Sequence, residues 1–264
     1  MKTLKFLFAG AFVVTTLAAC EKEEVTTQDT PQDNNPTTKD MISNGTGGSL
    51  AQFTIVDDYL YTIDYRTLNI FYLGDPDSPA LTESIDMGVG METVFHQNGN
   101  LFIGANDGVH IYDITDPRSP MEVSEFEHVT SCDPVVANGS LAIATLRGGT
   151  DCGGSLSQMD ILDISNINHP NLVGTMPLEN PYGLGFSQID GDIIYVCDGI
   201  DGLKAFDVSN PHFPDLVMHN PTLEALDVIA DGEDNLIVLT RAGVYQFDGT
   251  KPLTLSQRSF IPVQ

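Results

Sequence analysis

The chain repeats itself, and that restricts its fold more than any other feature. The tight-turn pairs Asn98-Gly99, Asn138-Gly139, Asp190-Gly191 and Asp231-Gly232 each lie between two apolar runs, with Asp57-Asp58 at the matching place in a first unit. Their first residues, 57, 98, 138, 190 and 231, are 41, 40, 52 and 41 residues apart. Asn-Gly and Asp-Gly are strong hairpin signals, because a type I′ turn needs positive φ at both central positions. A second landmark keeps the same phase: an apolar strand closing on Asp, then a polar turn bearing Pro. It reads Ile111-Tyr112-Asp113, Ile161-Leu162-Asp163, Ala205-Phe206-Asp207 and Gln246-Phe247-Asp248, while Tyr72 takes the place of the Asp in the first unit.

Each unit holds four short apolar runs. In the second they are Glu92–Gln97, Leu101–Ala105, Val109–Ile114 and Met121–Glu127. Val, Ile, Phe and Tyr fill the runs and Gly, Pro, Asn and Asp the joints, as strands and turns require. No stretch sustains helical periodicity. The pattern predicts an all-β β-propeller of five four-stranded blades, at about 48–88, 89–129, 130–179, 180–224 and 225–264. A solenoid-like stack or a β-sandwich is the alternative. The last unit completes its own fourth strand at Ser256–Val263, so closure is expected to rest on face packing between blades five and one.

The strings 108–120, Gly-Val-His-Ile-Tyr-Asp-Ile-Thr-Asp-Pro-Arg-Ser-Pro, and 202–211, Gly-Leu-Lys-Ala-Phe-Asp-Val-Ser-Asn-Pro, resemble the LVIVD repeat. The resemblance is fullest in units two and four. It implies a β-propeller on an exported bacterial protein and brings no catalytic residues with it.

Ahead of the repeats, residues 1–19 read as a leader. Lys2 and Lys5 precede an apolar run, Phe6 to Leu17, that is shorter than the ~20 residues a membrane span needs. Leu17-Ala18-Ala19-Cys20 resembles a bacterial lipobox, which implies cleavage before Cys20 and its lipidation. Residues 20–47 are rich in Thr, Asp, Asn, Gln and Pro and are expected to be a disordered tether. The start of that tether, Cys-Glu-Lys-Glu-Glu, resembles the export signal of Bacteroidetes surface lipoproteins. The expected location is therefore the bacterial envelope, as an outer membrane lipoprotein, with the surface-facing and the periplasmic leaflet both open. The formal net charge is −26, and loss of the leader makes it more negative still. Such a chain suits neither nucleic acid nor direct attraction to an anionic bilayer, so the membrane contact is expected through the lipid alone.

In a propeller, the loop into each first strand and the loop between strands two and three emerge on one face, and loops on a rigid scaffold carry function. This face is acidic, with Asp64, Glu92, Asp107, Asp133, Asp151, Asp198, Asp201 and Asp227 as the candidate ligand residues. The one break in period lengthens unit three within 147–158, and an insertion in a repeat array maps to a loop. Cys132 and Cys152 fall on the same face and predict a disulfide, with Cys152–Cys197 as the rival pairing and free thiols as the third option.

Asp198-Gly-Ile-Asp-Gly202 and Asp231-Gly-Glu-Asp-Asn235 resemble calcium loops in composition but lack the alternating oxygen ligands closed by Glu. No cofactor is expected, and Ca2+ is the weak candidate. H-E-x-x-H, G-x-S-x-G and a phosphate loop are all missing. His96 is expected to be a satisfied polar core histidine, with a place facing the axis near Glu92 as the alternative. The reading is a non-catalytic binding or scaffolding module with a protein or glycan partner. The alternatives are an enzyme or carbohydrate-processing protein that uses the acidic face, or a calcium-dependent adhesin.

Overall fold

The computed structural model describes residues 48–75, 77–88, 90–128, 134–150, 154–231 and 235–263. Twenty strands run in chain order through five antiparallel four-stranded sheets. Blade one holds β1 (Phe53–Val56), β2 (Tyr59–Ile63), β3 (Thr67–Tyr72) and β4 (Ala80–Asp86). Blade two holds β5 (Met91–Gln97), β6 (Asn100–Ala105), β7 (Gly108–Asp113) and β8 (Met121–Glu127). Blade three follows with β9 (Val135–Asn138), β10 (Leu141–Leu146), β11 (Gln158–Asp163) and β12 (Asn171–Pro177). Blade four has β13 (Leu184–Phe186), β14 (Ile193–Cys197), β15 (Leu203–Asp207) and β16 (Asp215–Asn220). Blade five ends the series with β17 (Ala225–Ala230), β18 (Asn235–Thr240), β19 (Gly243–Asp248) and β20 (Ser256–Pro262). This is a five-bladed β-propeller, as the repeats predict. Cys20, the leader and the tether lie outside the described residues.

The landmark aspartates are turn caps. Asp113, Asp163, Asp207 and Asp248 each accept the backbone N–H two residues on, at 2.6, 2.8, 2.9 and 3.0 Å. Hydrogen bonds from Thr115, Ser165, Ser209 and Thr250 hold all four carboxyls below the usual range. The hairpin signals are less uniform than the sequence implies. Asn98 (φ 49°) and Gly99 (φ 74°) have the double positive φ of a type I′ turn. Elsewhere Asp57 (φ 51°) and Gly139 (φ 58°) are positive alone. In blade four the connection widens, and Ser187 Oγ organises it by accepting from Ile189 N and Asp190 N.

Packing between blades makes the core. Blades one and two share Tyr61, Leu68, Ile70, Val94, Leu101 and Ile103. Phe102, Val109 and Ile111 meet Ala142, Ala144 and Leu162. Val136, Ile143 and Ile161 meet Leu184, Ile194 and Phe206. Tyr195, Leu203 and Ala205 meet Val228, Leu236 and Val238. Hydroxyls stitch successive blades: Tyr61 donates to Pro117 O at 2.8 Å, Ser124 to Ile167 O at 2.5 Å, and Tyr195 to Pro252 O at 3.2 Å.

The seam between blades five and one differs, and the expected face packing is not made there. Among the described residues no buried cluster joins the two blades. Phe53 is 58% exposed, whereas Val94, at the same register in blade two, is 2% exposed. Ile55 and Leu239 are exposed as well. The residues ahead of β1 span the axis instead. Ser49 Oγ accepts Leu184 N at 2.7 Å and donates to Asp227 at 3.5 Å, while Ala51 O accepts Val94 N at 2.8 Å.

Truncation should separate the two kinds of seam. Phe102→Ala is expected to cost about 3–5 kcal/mol and Phe53→Ala less than about 1 kcal/mol, read from denaturant midpoints. Equal costs would mean that the fifth seam is packed in solution.

Candidate functional site

The fold absorbs most of the predicted ligand acids. Asp64 caps its own loop, taking Arg66 N at 2.8 Å and Thr67 N at 2.7 Å, and these bonds hold its carboxyl low. Asp107 is exposed and turns to the His110 ring at 3.2 Å. Glu92 is half-buried on β5. Asp133 and Asp151, with Cys132 and Cys152, lie outside the described residues, as does most of the second acidic turn, 232–234. Cys197 is fully buried and its thiol is free, so the Cys152–Cys197 pairing is not made. His96 stands at the far end of β5 from Glu92. Burial pushes its imidazole pKa down, against the pull of Asp57, and Nε2 has no hydrogen-bond partner among the described residues.

Asp198 and Asp201 are joined by a cation from the chain itself. The Lys204 ammonium donates to Asp198 at 2.6 Å and also bonds Asp201. Burial works against the lysine's charge, but the two carboxylates outweigh it and its pKa rises. Asp198, with no exposed surface, also accepts Asn180 N at 2.6 Å and Glu179 N at 3.1 Å. One buried carboxylate thus fixes the loop that leads into blade four. Lys204 is the residue that the calcium-loop comparison overlooked: it follows Gly202 on the strand behind the turn.

That fixed loop presents Tyr182. Its N–H bonds Cys197 O at 2.8 Å and its carbonyl accepts Thr145 Oγ1 at 3.1 Å. The Arg147 guanidinium lies over its ring, 4.1 Å from the centroid. Gly199 (φ +57°) passes beneath, where a Cβ would come within 3.0 Å of the ring, so a side chain there would be both strained and crowded. Arg147 also opens the lengthened loop, whose base is tied by Gly149 N to Gly154 O at 3.2 Å and Gly148 N to Ser157 Oγ at 3.3 Å. The pair is a half-buried cation–π contact, worth about 0.5–2 kcal/mol. Sequence reasoning missed it because acids dominate the face by number. The usable signal was an arginine at the point where the period breaks.

Among the described residues the axis encloses a narrow space. Its cavity, about 50 Å3, is lined by Phe95, Val136, Leu184 and Val228 together with the polar Asn138 and Gln188. A small-molecule site ordinarily occupies about 300–1,000 Å3 and brings polar groups together. A shallower depression of about 360 Å3 lies on the loop face of blade five between Glu224, Arg241 and Tyr245. Asp227 is held near the axis by Ser49. Burial pushes its carboxyl up to about 6, only partly offset by bonds from Val228 N and Ser49.

Comparison with known proteins agrees with this architecture. The LVIVD repeat model matches residues 156–177 and 188–222, in the third and fourth units. No curated protein matches the sequence. A solved protein from Lactobacillus plantarum is similar at TM-score 0.63 and 16% identity, over 78% of this chain and 69% of that one. A protein of unknown function from Desulfotomaculum acetoxidans gives 0.64 at 13% identity, over 80% and 69%. The periplasmic gluconolactonase of Pseudomonas aeruginosa gives 0.60 at 14% identity, over 78% and 68%. At these identities the likeness is one of fold.

Asp227 generates a pH prediction. An unfolded Asp titrates near 4 and the folded one near 6, so in that interval the folded state keeps a proton that the unfolded state has released. Wild-type stability should therefore fall as pH rises from about 4 to about 6. Asp227→Asn should stabilise the domain by up to about 3 kcal/mol at pH 7.5 and by almost nothing at pH 4. Denaturant midpoints at both pH values check this, and an equal effect at both would remove the buried charge as the cause.

Proposed function

We propose that this chain is a lipid-anchored, non-catalytic binding module of the bacterial envelope that grips a protein partner through the blade-three and blade-four end of its loop face. One observation carries the reading: Arg147 stacked on Tyr182, seated on a loop that buried Asp198 holds still. Arginine and tyrosine are over-represented where interface energy concentrates, and a pre-ordered pair loses little entropy on binding. The loop acids support it from the other side, since Asp64 serves as a cap, Asp107, Asp198 and Asp201 as ion-pair partners, and Asp227 as a buried axial group. The narrow axis and the propeller of LVIVD repeats suit a module that binds through its loops.

The anchor completes the proposal. Cys20 would carry the lipid, and 20–47 would hold the propeller off the membrane. Because the net charge is strongly negative, the lipid rather than the protein surface supplies the membrane affinity.

Two experiments test this. Cys20→Ala should move the protein from the membrane to the soluble fraction, and continued membrane association would end the anchor proposal. A photo-crosslinker at Gly149 in living cells should capture a discrete protein adduct, while one at Thr250, on a turn of the opposite face, should not. Tyr182→Ala should weaken that capture about thirtyfold, the equivalent of ~2 kcal/mol at an interface hot spot. Because the gluconolactonase shares the fold, purified protein should also be offered aldonolactones, and hydrolysis above the buffer rate would overturn the non-catalytic reading.

A further inference from the structure

Blade two carries a side-chain cluster that none of its sister blades has. His110 on β7 points its Nδ1 at Glu122 Oε1, 2.9 Å away, and at Glu125 Oε2, 3.8 Å away, both on β8. Glu122 and Glu125 are three residues apart, so in a regular strand they would face opposite sides of the sheet. A β-bulge brings them together: Glu125 pairs with His110, Ser124 with Ile111, and then Glu122 with Tyr112, leaving Val123 unpaired. The same bulge recurs in all five blades. The position of Glu122 is elsewhere Leu81, Leu172, Leu216 or Gln257. The position of Glu125 is Ser84, Thr175, His219 or Phe260. Blade two alone sets two carboxylates around an imidazole.

We propose that His110, Glu122 and Glu125 bind a divalent transition ion of the zinc class. An imidazole among the ligands favours zinc over calcium, which takes six to eight oxygens. Zinc bonds of about 2.0 Å place tetrahedral ligand atoms about 3.3 Å apart, and the 2.9 and 3.8 Å separations bracket that spacing. The three ligand atoms lie within 4.8 Å of one another, so small side-chain shifts close the set. Asp107 completes the logic from behind. Its Oδ1 lies 3.2 Å from Nε2, so it can accept that N–H and leave the Nδ1 lone pair for the metal, as carboxylate partners of metal-bound histidines do.

Beside the cluster lies a cavity of about 180 Å3, lined by Asp107, His110, Glu125 and His128 among others. It leaves room for a fourth ligand, from water or from a partner's side chain. The His110 side chain is 19% exposed, while Glu122 and Glu125 are 44% and 53% exposed, so an ion reaches the site without unfolding the sheet.

Titration calorimetry of the purified full chain with Zn2+ alone, and separately with Ca2+ alone, tests the proposal. One zinc per chain is expected, bound far more tightly than calcium. His110→Ala and Glu122→Leu should each weaken zinc at least tenfold. The second variant restores the residue of blades one, three and four, so its fold is secure. Asp107→Asn, which touches only the back of the ring, should weaken zinc by about ten- to hundredfold. Absence of zinc binding in the wild type, undiminished binding in both ligand variants, or equal affinity for calcium would each overturn the assignment.

Discussion

Every blade of this molecule depends on its neighbours to cover its two apolar faces. A four-stranded sheet with Leu101 and Ile103 on one side and Phe102 and Ile111 on the other has no stable existence in water alone. Four seams supply the cover, and among the described residues the fifth does not. The chain instead threads Ser49 and Ala51 across the axis, so that backbone groups of blades two and four and the Asp227 carboxyl meet through the lead-in segment. Propellers whose last blade is completed by a strand from the other terminus lock the ring by sheet hydrogen bonds. Here each sheet is made of consecutive strands, and the polar strap at the axis does part of that work.

The strap explains an otherwise costly choice. A buried aspartate with its pKa raised to about 6 is destabilising when charged. Asp227 is nevertheless one of the few described groups that ties the first described residues to the last blade. A neutral residue in its place relieves the charge and gives up a polar contact across the open seam, so the stability gain at neutral pH measures how much of that contact is electrostatic.

How much of this was legible in the sequence follows from the range of each interaction. Asp113, Asp163, Asp207 and Asp248 act within two residues of themselves, so their spacing displayed blade number and phase directly. The faces of the strands followed from alternation. The roles of the loop acids did not, because they are set by partners remote in sequence or hidden in phase. Asp198 is defined by backbone groups at 179 and 180 and by a lysine six residues on. Tyr182 gained its role from Arg147, thirty-five residues earlier on a different blade. The open seam was invisible for the same reason: Phe53 and Ile55 carry the pattern of a buried strand, and only the position of blade five decides whether anything covers them.

A repeat fold gives evolution the same backbone place several times over, and one such place here holds five different chemistries. Where the third strand meets the fourth beside the bulge, blade one has Ser84 donating to Asn69 at 2.7 Å, a neutral pair. Blade two has His110 against Glu125, blade three Asp160 against Thr175, and blade four Lys204 against His219. Blade five has Tyr245 against Phe260, with ring centroids 4.4 Å apart. Geometry is held constant by the bulge and the turn cap, so differences in chemistry at this place are not forced by packing. In blade four Lys204 turns inward and steadies the loop beneath Tyr182 while His219 stays exposed, whereas blade two gathers carboxylates around one imidazole. The first arrangement serves the scaffold, and the second leaves an electrostatic demand that a metal ion would meet.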